Sequence, residues 1–334
     1  MNRLLGLLLV FGILIWNGCS NDLELTTDYK DIPVIYAKLD ASDSAHYIRV
    51  EKAFLDPKTN AFVLAQRVDS LYYPNAVVTL EKNDDGTIYT LERVDGNLEG
   101  YVRDTGIFAS APNYLYKIRQ DVINLEGEDE VKITLKRGEN FADITSTSTI
   151  IPPMEIDRPF SSPINVWENL AVQWTRNSEL PRIFDLSVIV RYQEKAANDP
   201  NAPVFNREIE WLTTKNLTLD PEENNAKVTY RIDGDAFFSF LGNNLSKDEP
   251  VVRQLSNISF KIFGGDSQIE NAYLIALANQ GFASTQDPPV YTNIEGGRGI
   301  FASVTSVESI GFTLAASARD SLLNGRFTSG LGFQ

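Results

Sequence analysis

The stretch Asn75–Gly96, NAVVTLEKNDDGTIYTLERVDG, decides the fold of this chain. Apolar and polar residues alternate with a period of two on both sides of Asp84-Asp85-Gly86, which is the pattern of half-buried β-strands. The Asp-Gly pair favours a tight turn because glycine readily adopts positive φ angles. We therefore predict a β-hairpin with strands at Asn75–Asn83 and Thr87–Gly96.

The same alternation continues on both sides of this hairpin, in segments rich in Val, Ile and Tyr. Because no amphipathic helix separates these segments, they favour an antiparallel β-sandwich. The segment Phe54–Tyr73 is longer than an ordinary hairpin loop and is predicted to be a local elaboration. The further strands predicted in this half are Ile32–Asp40, His46–Leu55, Asn113–Val122 and Val131–Gly138.

Paired prolines within Thr145–Asp157 predict a link between two domains, because each proline removes a backbone donor and stiffens the chain. We place an N-terminal β-sandwich at residues 32–151 and a second β-rich domain at 152–334. The strands predicted in the second domain are Asn169–Thr175, Phe184–Glu194, Arg207–Thr213, Ala226–Asp233, Ile258–Asp266 and Gly299–Ala315.

Three segments of the second domain carry other signals. Asp235–Leu245 predicts a short helix capped by Asp235, with Phe237, Phe238 and Leu241 on one face. Asn271–Gly281 is apolar and fits either a strand or a short helix, and we favour a strand. Residues 316–334 predict a short helix followed by a tail. The fold class is therefore all-β, with two antiparallel sandwiches and a short helix in the second.

The N-terminus predicts export and lipid attachment. Arg3 precedes an uncharged apolar run, Leu4–Trp16, which is shorter than the roughly 20 residues of a membrane-spanning helix. Gly18 then precedes Cys19, the only cysteine in the chain. We predict a lipoprotein signal peptide at residues 1–18, acylation of Cys19 and a tether at 19–31. The alternative is an incidental cysteine in an ordinary secretory signal.

Charge and residue usage limit the chemistry open to this protein. The net charge of −15 opposes nucleic-acid binding, which relies on Lys and Arg. His46 is the only histidine, so a Ser-His-Asp site would have to use it, although its place in an alternating strand favours a structural role. With Cys19 acylated, one histidine and no free cysteine leave neither a catalytic thiol nor a zinc ligand set. Glu208 and Glu210 flank Trp211, an arrangement that a sugar-cleaving site could use, although a half-exposed strand is the simpler reading.

Two glycine- or aspartate-rich turns complete the candidates. Asp84-Asp85-Gly86 and Asp233-Gly234-Asp235 lack the full calcium-loop pattern, so turn and cap roles are favoured over calcium binding. The run Gly296–Gly299 lacks the phosphate-loop pattern and predicts a tight turn. With Tyr291, Gly296, Gly297 and Arg298, it is a candidate docking turn. No cofactor or metal site is predicted.

The chain resembles the outer-membrane lipoproteins of Bacteroidota that have no assigned function and are often encoded beside TonB-dependent receptors. The resemblance is carried by Asn75–Leu91, Val131–Asp157 and Tyr291–Ser303, and the acidic Ser20–Glu24 resembles the tag that directs such proteins to the cell surface. It implies immunoglobulin-like or prealbumin-like sandwiches, a lipid anchor in the outer membrane with surface or periplasmic facing, and no catalytic residues.

From these observations we expect a non-enzymatic lipoprotein that acts as an accessory subunit of an outer-membrane complex, such as a TonB-dependent transporter. Its partners would be the membrane, through the lipid anchor, and a barrel protein or receptor. The first alternative is a structural or adhesive envelope protein that binds glycan. The second is a carboxylate-driven glycan hydrolase using Glu208 and Glu210.

Overall fold

A computed structural model describes residues 30–55, 60–83, 86–166, 169–220, 225–247, 250–280 and 289–334. The predicted signal peptide, the acylation of Cys19 and the turn residues Asp84 and Asp85 lie outside these ranges. Within them, no helix has both the length and the apolar character needed to cross a membrane.

The described residues form fifteen strands and six helices. The first half contains β1 (Lys30–Leu39), β2 (Ala45–Leu55), α1 (Ala61–Ala65), α2 (Val68–Leu71), β3 (Val77–Lys82), β4 (Thr87–Thr90), β5 (Glu92–Asp95), β6 (Tyr114–Arg119), α3 (Gln120–Ile123), β7 (Glu130–Lys136) and β8 (Ile144–Thr149). The second half contains β9 (Glu155–Arg158), β10 (Leu170–Thr175), β11 (Ile183–Ala196), β12 (Phe205–Thr218), β13 (Lys227–Ile232), α4 (Gly234–Asn244), β14 (Val251–Gly265), α5 (Ser267–Asn279), β15 (Arg298–Phe312) and α6 (Ala316–Asn324).

Three sheets organise these strands, and they confirm the all-β sandwich class. The largest sheet has eight strands in the order β12-β11-β14-β15-β1-β2-β6-β5. A four-stranded sheet, β4-β3-β7-β8, and a three-stranded sheet, β13-β10-β9, accompany it. The pairs within these sheets are antiparallel except for β1 and β15, which run parallel. This one parallel pair joins strands from the two ends of the chain.

Both hydrophobic cores lie against the same face of the eight-stranded sheet. Phe301 of β15 pairs with Ala37 of β1 and is buried in the first core, between the large sheet and the four-stranded sheet. Val307, six positions further along β15, projects from the same face and packs on the second core. That core lies between the large sheet, which contributes Phe184, and the three-stranded sheet with α4, which contribute Trp174 and Phe237.

The first core contains residues from both sides of the predicted boundary at residue 151, whereas the residues of the second core all lie after it. Ile294 and Phe301, from the second half of the chain, complete the first core. The proline link leads from one core to the other, because Ile150 belongs to the first core and Met154 to the second. The division into 32–151 and 152–334 therefore stays a prediction, and one sheet spans both parts.

The predicted hairpin is present and divides where it was expected to continue. β3 and β4 pair antiparallel in the four-stranded sheet. At Leu91, whose backbone N–H donates to the carbonyl of Val78, the chain leaves that sheet. β5 then pairs with β6 at the edge of the eight-stranded sheet. The stretch Thr87–Gly96 is thus two strands in two facing sheets, and buried Leu91 is the corner between them.

Helix α5 overturns the strand that we favoured at Asn271–Gly281. Asp266 starts the helix, since its side chain accepts hydrogen bonds from the backbone N–H groups of Gln268 and Ile269 at 3.0 and 3.2 Å. The helix predicted at Asp235–Leu245 is present as α4, although Asp233 caps it instead of Asp235. The short helix predicted within residues 316–334 is α6.

Asp266 also ties the sheets together. Its second carboxylate oxygen accepts hydrogen bonds from the backbone N–H of Ser303 in β15 at 2.8 Å and from the hydroxyl of Ser148 in β8 at 3.2 Å. Burial raises the pKa of Asp266 above its usual value, against the opposing effect of these hydrogen bonds. One side chain therefore fixes α5, the large sheet and the four-stranded sheet relative to one another.

Replacing each of the two helix-capping aspartates in turn distinguishes the contribution of helix capping from that of the contacts between Asp266 and the two sheets. Asp233→Ala removes an exposed cap and should lower the free energy of unfolding by about 1 kcal/mol. Asp266→Ala should cost about 1–3 kcal/mol more, because the N–H of Ser303 is left buried without its acceptor. Urea titration followed by circular dichroism measures both. Equal losses in the two variants would show that Asp266 acts as a cap alone.

Close approach at the parallel pair requires glycine at position 299. Gly299 has φ +110°, and a Cβ placed there would lie 1.9 Å from the carbonyl oxygen of Ile35 in β1. Gly311, on the same strand, has φ +99° and open space where its Cβ would be. Both glycines have a positive φ angle, but of the two only Gly299 lies in close contact with β1.

We expect Gly311→Ala to lower the free energy of unfolding by about 1–3 kcal/mol, through backbone strain alone. Gly299→Ala should be clearly more destabilising, because it adds a steric clash that separates β1 from β15. Denaturant midpoints of the two variants, measured side by side, test this. Similar midpoints would mean that the β1–β15 pair contributes little to stability.

Candidate functional site

The outer face of the eight-stranded sheet, opposite to the cores, carries a cleft. Side chains alternate along strands, so Tyr36 and Lys38 of β1 project from this face beside Tyr47 and Arg49 of β2. The cleft has a volume of about 510 Å³, and we call it the outer-face cleft. Its lining residues are Tyr36, Ala37, Lys38, Asp43, Ala45, Tyr47, Arg49, Tyr101, Leu115, Ile269, Ala272 and Ile300.

Helix α5 forms one wall of the outer-face cleft through Ile269 and Ala272. The cap at Asp266 sets where this helix begins, and so fixes Ile269 three residues later. Because the sequence favoured a strand in this segment, it gave no indication of the wall. The outer-face cleft therefore forms at the point where α5 lies against the outer face of the eight-stranded sheet.

Tyrosine rings form the opposite wall. The ring centroids of Tyr47 and Tyr101 lie 4.5 Å apart with planes inclined at 51°. Tyr101 is 50% exposed, and Tyr36, on the neighbouring strand, is 51% exposed. Tyrosine combines a flat apolar face with a hydroxyl that forms hydrogen bonds. The cleft thus presents the rings of Tyr36 and Tyr101 to the solvent.

A charged pair holds Tyr47 in place. Its hydroxyl donates a hydrogen bond to Glu99 at 2.9 Å, and the ammonium group of Lys117 lies 2.5 Å from the same carboxylate oxygen. The hydrogen bond from Lys117 keeps the pKa of Glu99 below its usual value, and Glu99 in turn raises the pKa of Lys117. Burial and then Glu99 raise the pKa of Tyr47, so its phenol stays protonated at neutral pH.

A second network borders the cleft on the strand side. Arg49 donates to Glu51 at 3.0 Å and to the side-chain oxygen of Asn113 at 2.8 Å. Arg103 reaches the same oxygen of Glu51 at 2.8 Å. These contacts fix the Arg49 guanidinium before any ligand arrives, an arrangement that lowers the entropic cost of binding.

Two further polar groups of the cleft are less constrained. Lys38 is exposed and has no hydrogen-bond or ion-pair partner within the part of the chain that the structure describes. The pKa of Asp43 is raised above its usual value, first because the carboxyl is partly buried and then because Asp40 is near. The outer-face cleft therefore combines aromatic faces with a free cation and a carboxyl group.

The predicted docking turn occupies a different place. Gly296 has φ +77° and lies against the side chain of Ile144 in β8, and a Cβ on Gly297 would meet the carbonyl oxygen of Pro33 in β1. The hydroxyl of Tyr291 donates to the side chain of Gln268. Arg298 is exposed and pairs in register with Val34. These residues do not line the outer-face cleft, and their docking role stays a prediction.

The histidine that a Ser-His-Asp site would require is part of the fold. His46 is buried, and its Nε2 lies 2.7 Å from the side-chain oxygen of Gln120. The amide nitrogen of Gln120 already donates to the carbonyls of Ala41 and Leu125, so its oxygen accepts from His46. His46 therefore links β2 to the loop around α3.

The candidate carboxylates of the hydrolase hypothesis lie on β12, at the edge of the large sheet. Glu208 forms an ion pair with Arg191 at 2.8 Å, and Arg191 also binds Glu308 at 2.9 Å. Neither Glu208 nor Glu210 lines the outer-face cleft. Trp211 points the other way and stacks on Phe240, with centroids 5.5 Å apart.

The candidate calcium turn at residues 233–235 has local roles. The Asp233 side chain caps α4, and Asp235 pairs with Arg326 at 2.6 Å. Across the ranges described, no group of three or more His, Cys, Asp or Glu side chains comes together in a metal-binding arrangement.

Next to the cleft on the same face lies an apolar groove of about 380 Å³. Val34 of β1 is two positions before Tyr36, and Glu51 of β2 is two positions after Arg49, so groove and cleft share these strands. We call this feature the apolar groove. It is lined by Val34, Glu51, Lys52, Ala53, Ala61, Phe62, Ala65, Ile107 and Phe108.

Sequence reasoning missed the cleft because its parts are distant in the chain. Tyr47 stood on the polar side of a predicted strand, which signals exposure and nothing more. Tyr101 lies in a segment for which no element was predicted, and Lys117 belongs to another strand. The outward Tyr47 and Lys117 could have been identified had the pairing of β2 with β6 been known, since the two residues are direct partners.

No protein-family model and no curated protein matches this chain. Among solved structures, it is similar to the chicken interferon gamma receptor alpha chain at 10% identity and a TM-score of 0.19, over 86% of this chain and 99% of that one. It is similar to the C-terminal globular domain of an oligosaccharyltransferase from Pyrococcus abyssi at 8% identity and a TM-score of 0.22, over 86% of this chain and 50% of that one. Such TM-scores say nothing about ligand or activity.

Proposed function

We propose that this protein is a lipid-anchored, non-enzymatic envelope protein that binds a glycan in the outer-face cleft. The observation that carries the proposal is the pair of exposed tyrosine rings, Tyr36 and Tyr101, in one cleft beside fixed charges, with Tyr101 packed on the half-buried Tyr47. Saccharides have apolar C–H faces and hydroxyl edges, so they bind to aromatic rings that polar groups surround.

The cleft offers both kinds of contact. Tyr36 and Tyr101 supply half-exposed ring faces on which a pyranose can stack. Lys38, Arg49 and Asp43 stand around them and can exchange hydrogen bonds with sugar hydroxyls. The walls are preorganised by the Glu99–Lys117 and Arg49–Glu51 contacts, which favours affinity because little side-chain freedom is lost on binding.

The composition of the cleft favours binding over hydrolysis. Glycoside hydrolysis ordinarily requires two carboxyl groups about 5–10 Å apart, one as acid and one as base or nucleophile. Asp43 is the one carboxylate among the described residues that line the cleft. Glu99, behind Tyr47, is held by Lys117 and the Tyr47 hydroxyl, and its lowered pKa is opposite to what a general acid requires.

The proposed setting is the outer membrane, with an acylated Cys19 as anchor and the cell surface or the periplasm as the facing. The accessory role beside a TonB-dependent transporter is favoured by the position of the cleft on β1, the first described strand after the anchor. A glycan held there stays near the bilayer, where a barrel partner would receive it. Co-purification of a barrel protein from detergent-solubilised envelopes separates this role from that of a self-sufficient adhesive protein.

Glycan binding predicts a specific loss on removing one ring. Tyr101→Ala should weaken the binding of the best oligosaccharide from a panel of neutral and acidic glycans by about tenfold or more, equivalent to about 1.4 kcal/mol. Isothermal titration calorimetry measures the change. Phe160→Ala is the matched control, since Phe160 is 79% exposed and lies outside the cleft. A panel with no binder, or equal losses in both variants, would refute glycan binding here.

The anchor predicts a chemical modification at one position. Metabolic labelling with an alkyne fatty acid should tag the wild-type chain, and Cys19→Ser should abolish the tag and move the protein from the membrane to the soluble fraction. Acyl chains bind bilayers through about 0.8 kcal/mol per buried methylene, so the shift should be nearly complete. An unlabelled wild-type chain would remove the lipoprotein part of the proposal.

A further inference from the structure

We propose that the apolar groove is a membrane-docking surface, which rests on the bilayer that holds the acylated Cys19. This docking rests on one part of the proposed function, namely that an acylated Cys19 holds the protein on a membrane. It goes beyond that function because it gives the protein an orientation. The groove would lie on the lipid surface, with the outer-face cleft directly beside it.

The groove concentrates exposed apolar side chains from two separate segments. Phe62 is 65% exposed and Phe108 47% exposed, and Val63 and Ile107 next to them are exposed as well. Scattered apolar residues are normal on protein surfaces, but an adjoining group of large ones marks an interaction site. Two phenylalanines at the mouth of one groove are such a group.

Hydrogen bonds hold these two segments together. The side-chain amide of Gln66 donates to the carbonyls of Gly106 and Ile107 at 3.0 and 2.5 Å. The backbone N–H of Ala109 donates to the carbonyl of Ala65 at 2.9 Å. The exposed rings of Phe62 and Phe108 therefore lie on two segments that hydrogen bonds hold together, so the apolar surface has a defined structure.

Chain geometry places the apolar groove at the anchored end of the protein. β1 begins at Lys30, and Val34, four residues later, lines the groove. At about 3.3 Å per strand residue, the start of β1 is roughly 13 Å from that position. Cys19 precedes Lys30 by eleven residues, which reach at most about 40 Å. Such a short tether keeps the groove close to the bilayer and at high effective concentration.

The charges bordering the groove suit a lipid surface. Glu51, the carboxylate that lines it, is paired with both Arg49 and Arg103. Arg298 lies across the parallel ladder from Val34, and it is exposed with no partner among the residues described. An unpaired arginine opposite Val34, which lines the groove, favours contact with lipid phosphates, even though the whole chain carries a charge of −15.

A site-specific probe tests this docking. The acylated full-length chain is reconstituted into phosphatidylethanolamine–phosphatidylglycerol vesicles, with Phe62→Cys or Phe108→Cys carrying a nitroxide spin label. Cys19 is the only native cysteine, and acylation blocks its thiol, so the label goes to the introduced site. Phe160→Cys is the matched control, an exposed phenylalanine remote in sequence from the groove segments.

In the vesicles, we expect the labels at positions 62 and 108 to show a several-fold higher ratio of oxygen to nickel-chelate accessibility than the label at position 160. If the protein is anchored but both labels remain accessible to the nickel chelate, docking is refuted and the anchor stands. If the label reacts with Cys19 itself, anchor and docking fall together. If the two labels become protected from the nickel chelate only when a barrel protein is added, the groove binds a protein and membrane docking is refuted.

Discussion

The fold depends on the parallel contact between β1 and β15, which brings the first and last strands of the described residues side by side. Gly299 permits it, because only a residue without Cβ can approach the Ile35 carbonyl so closely. Through this contact the strands of both halves become one eight-stranded sheet. The common inner face of that sheet supports both cores, and its common outer face supports the cleft.

Local patterns predicted much of the strand inventory, because alternation and turn residues report on neighbours in sequence. The hairpin at β3 and β4 and helix α4 are of this kind. The sequence reading was wrong for α5, since an apolar run such as Asn271–Gly281 fits either element by periodicity. Asp266 was the missed signal, because it was assigned to the end of a strand and not to the start of a helix.

The tertiary features were beyond such reasoning for a physical reason. The parallel pair, the exit of the chain at Leu91 and the meeting of Tyr47 with Tyr101 each depend on contacts between residues far apart in the chain. A sequence fixes which side of a strand is polar, but not which other strand lies beside it. The candidate site is therefore a product of topology, and single-residue candidates such as His46 turned out to serve the fold.

The order of β1 and β15 also has a consequence for how the protein is made. Synthesis proceeds from the N-terminus, so β1 emerges well before its neighbour β15. Until then the first core lacks Phe301, and one edge of β1 has unpaired backbone groups that invite association with other chains. The first core is thus completed only after β15 has emerged, and a holding chaperone would be most useful in the interval before that.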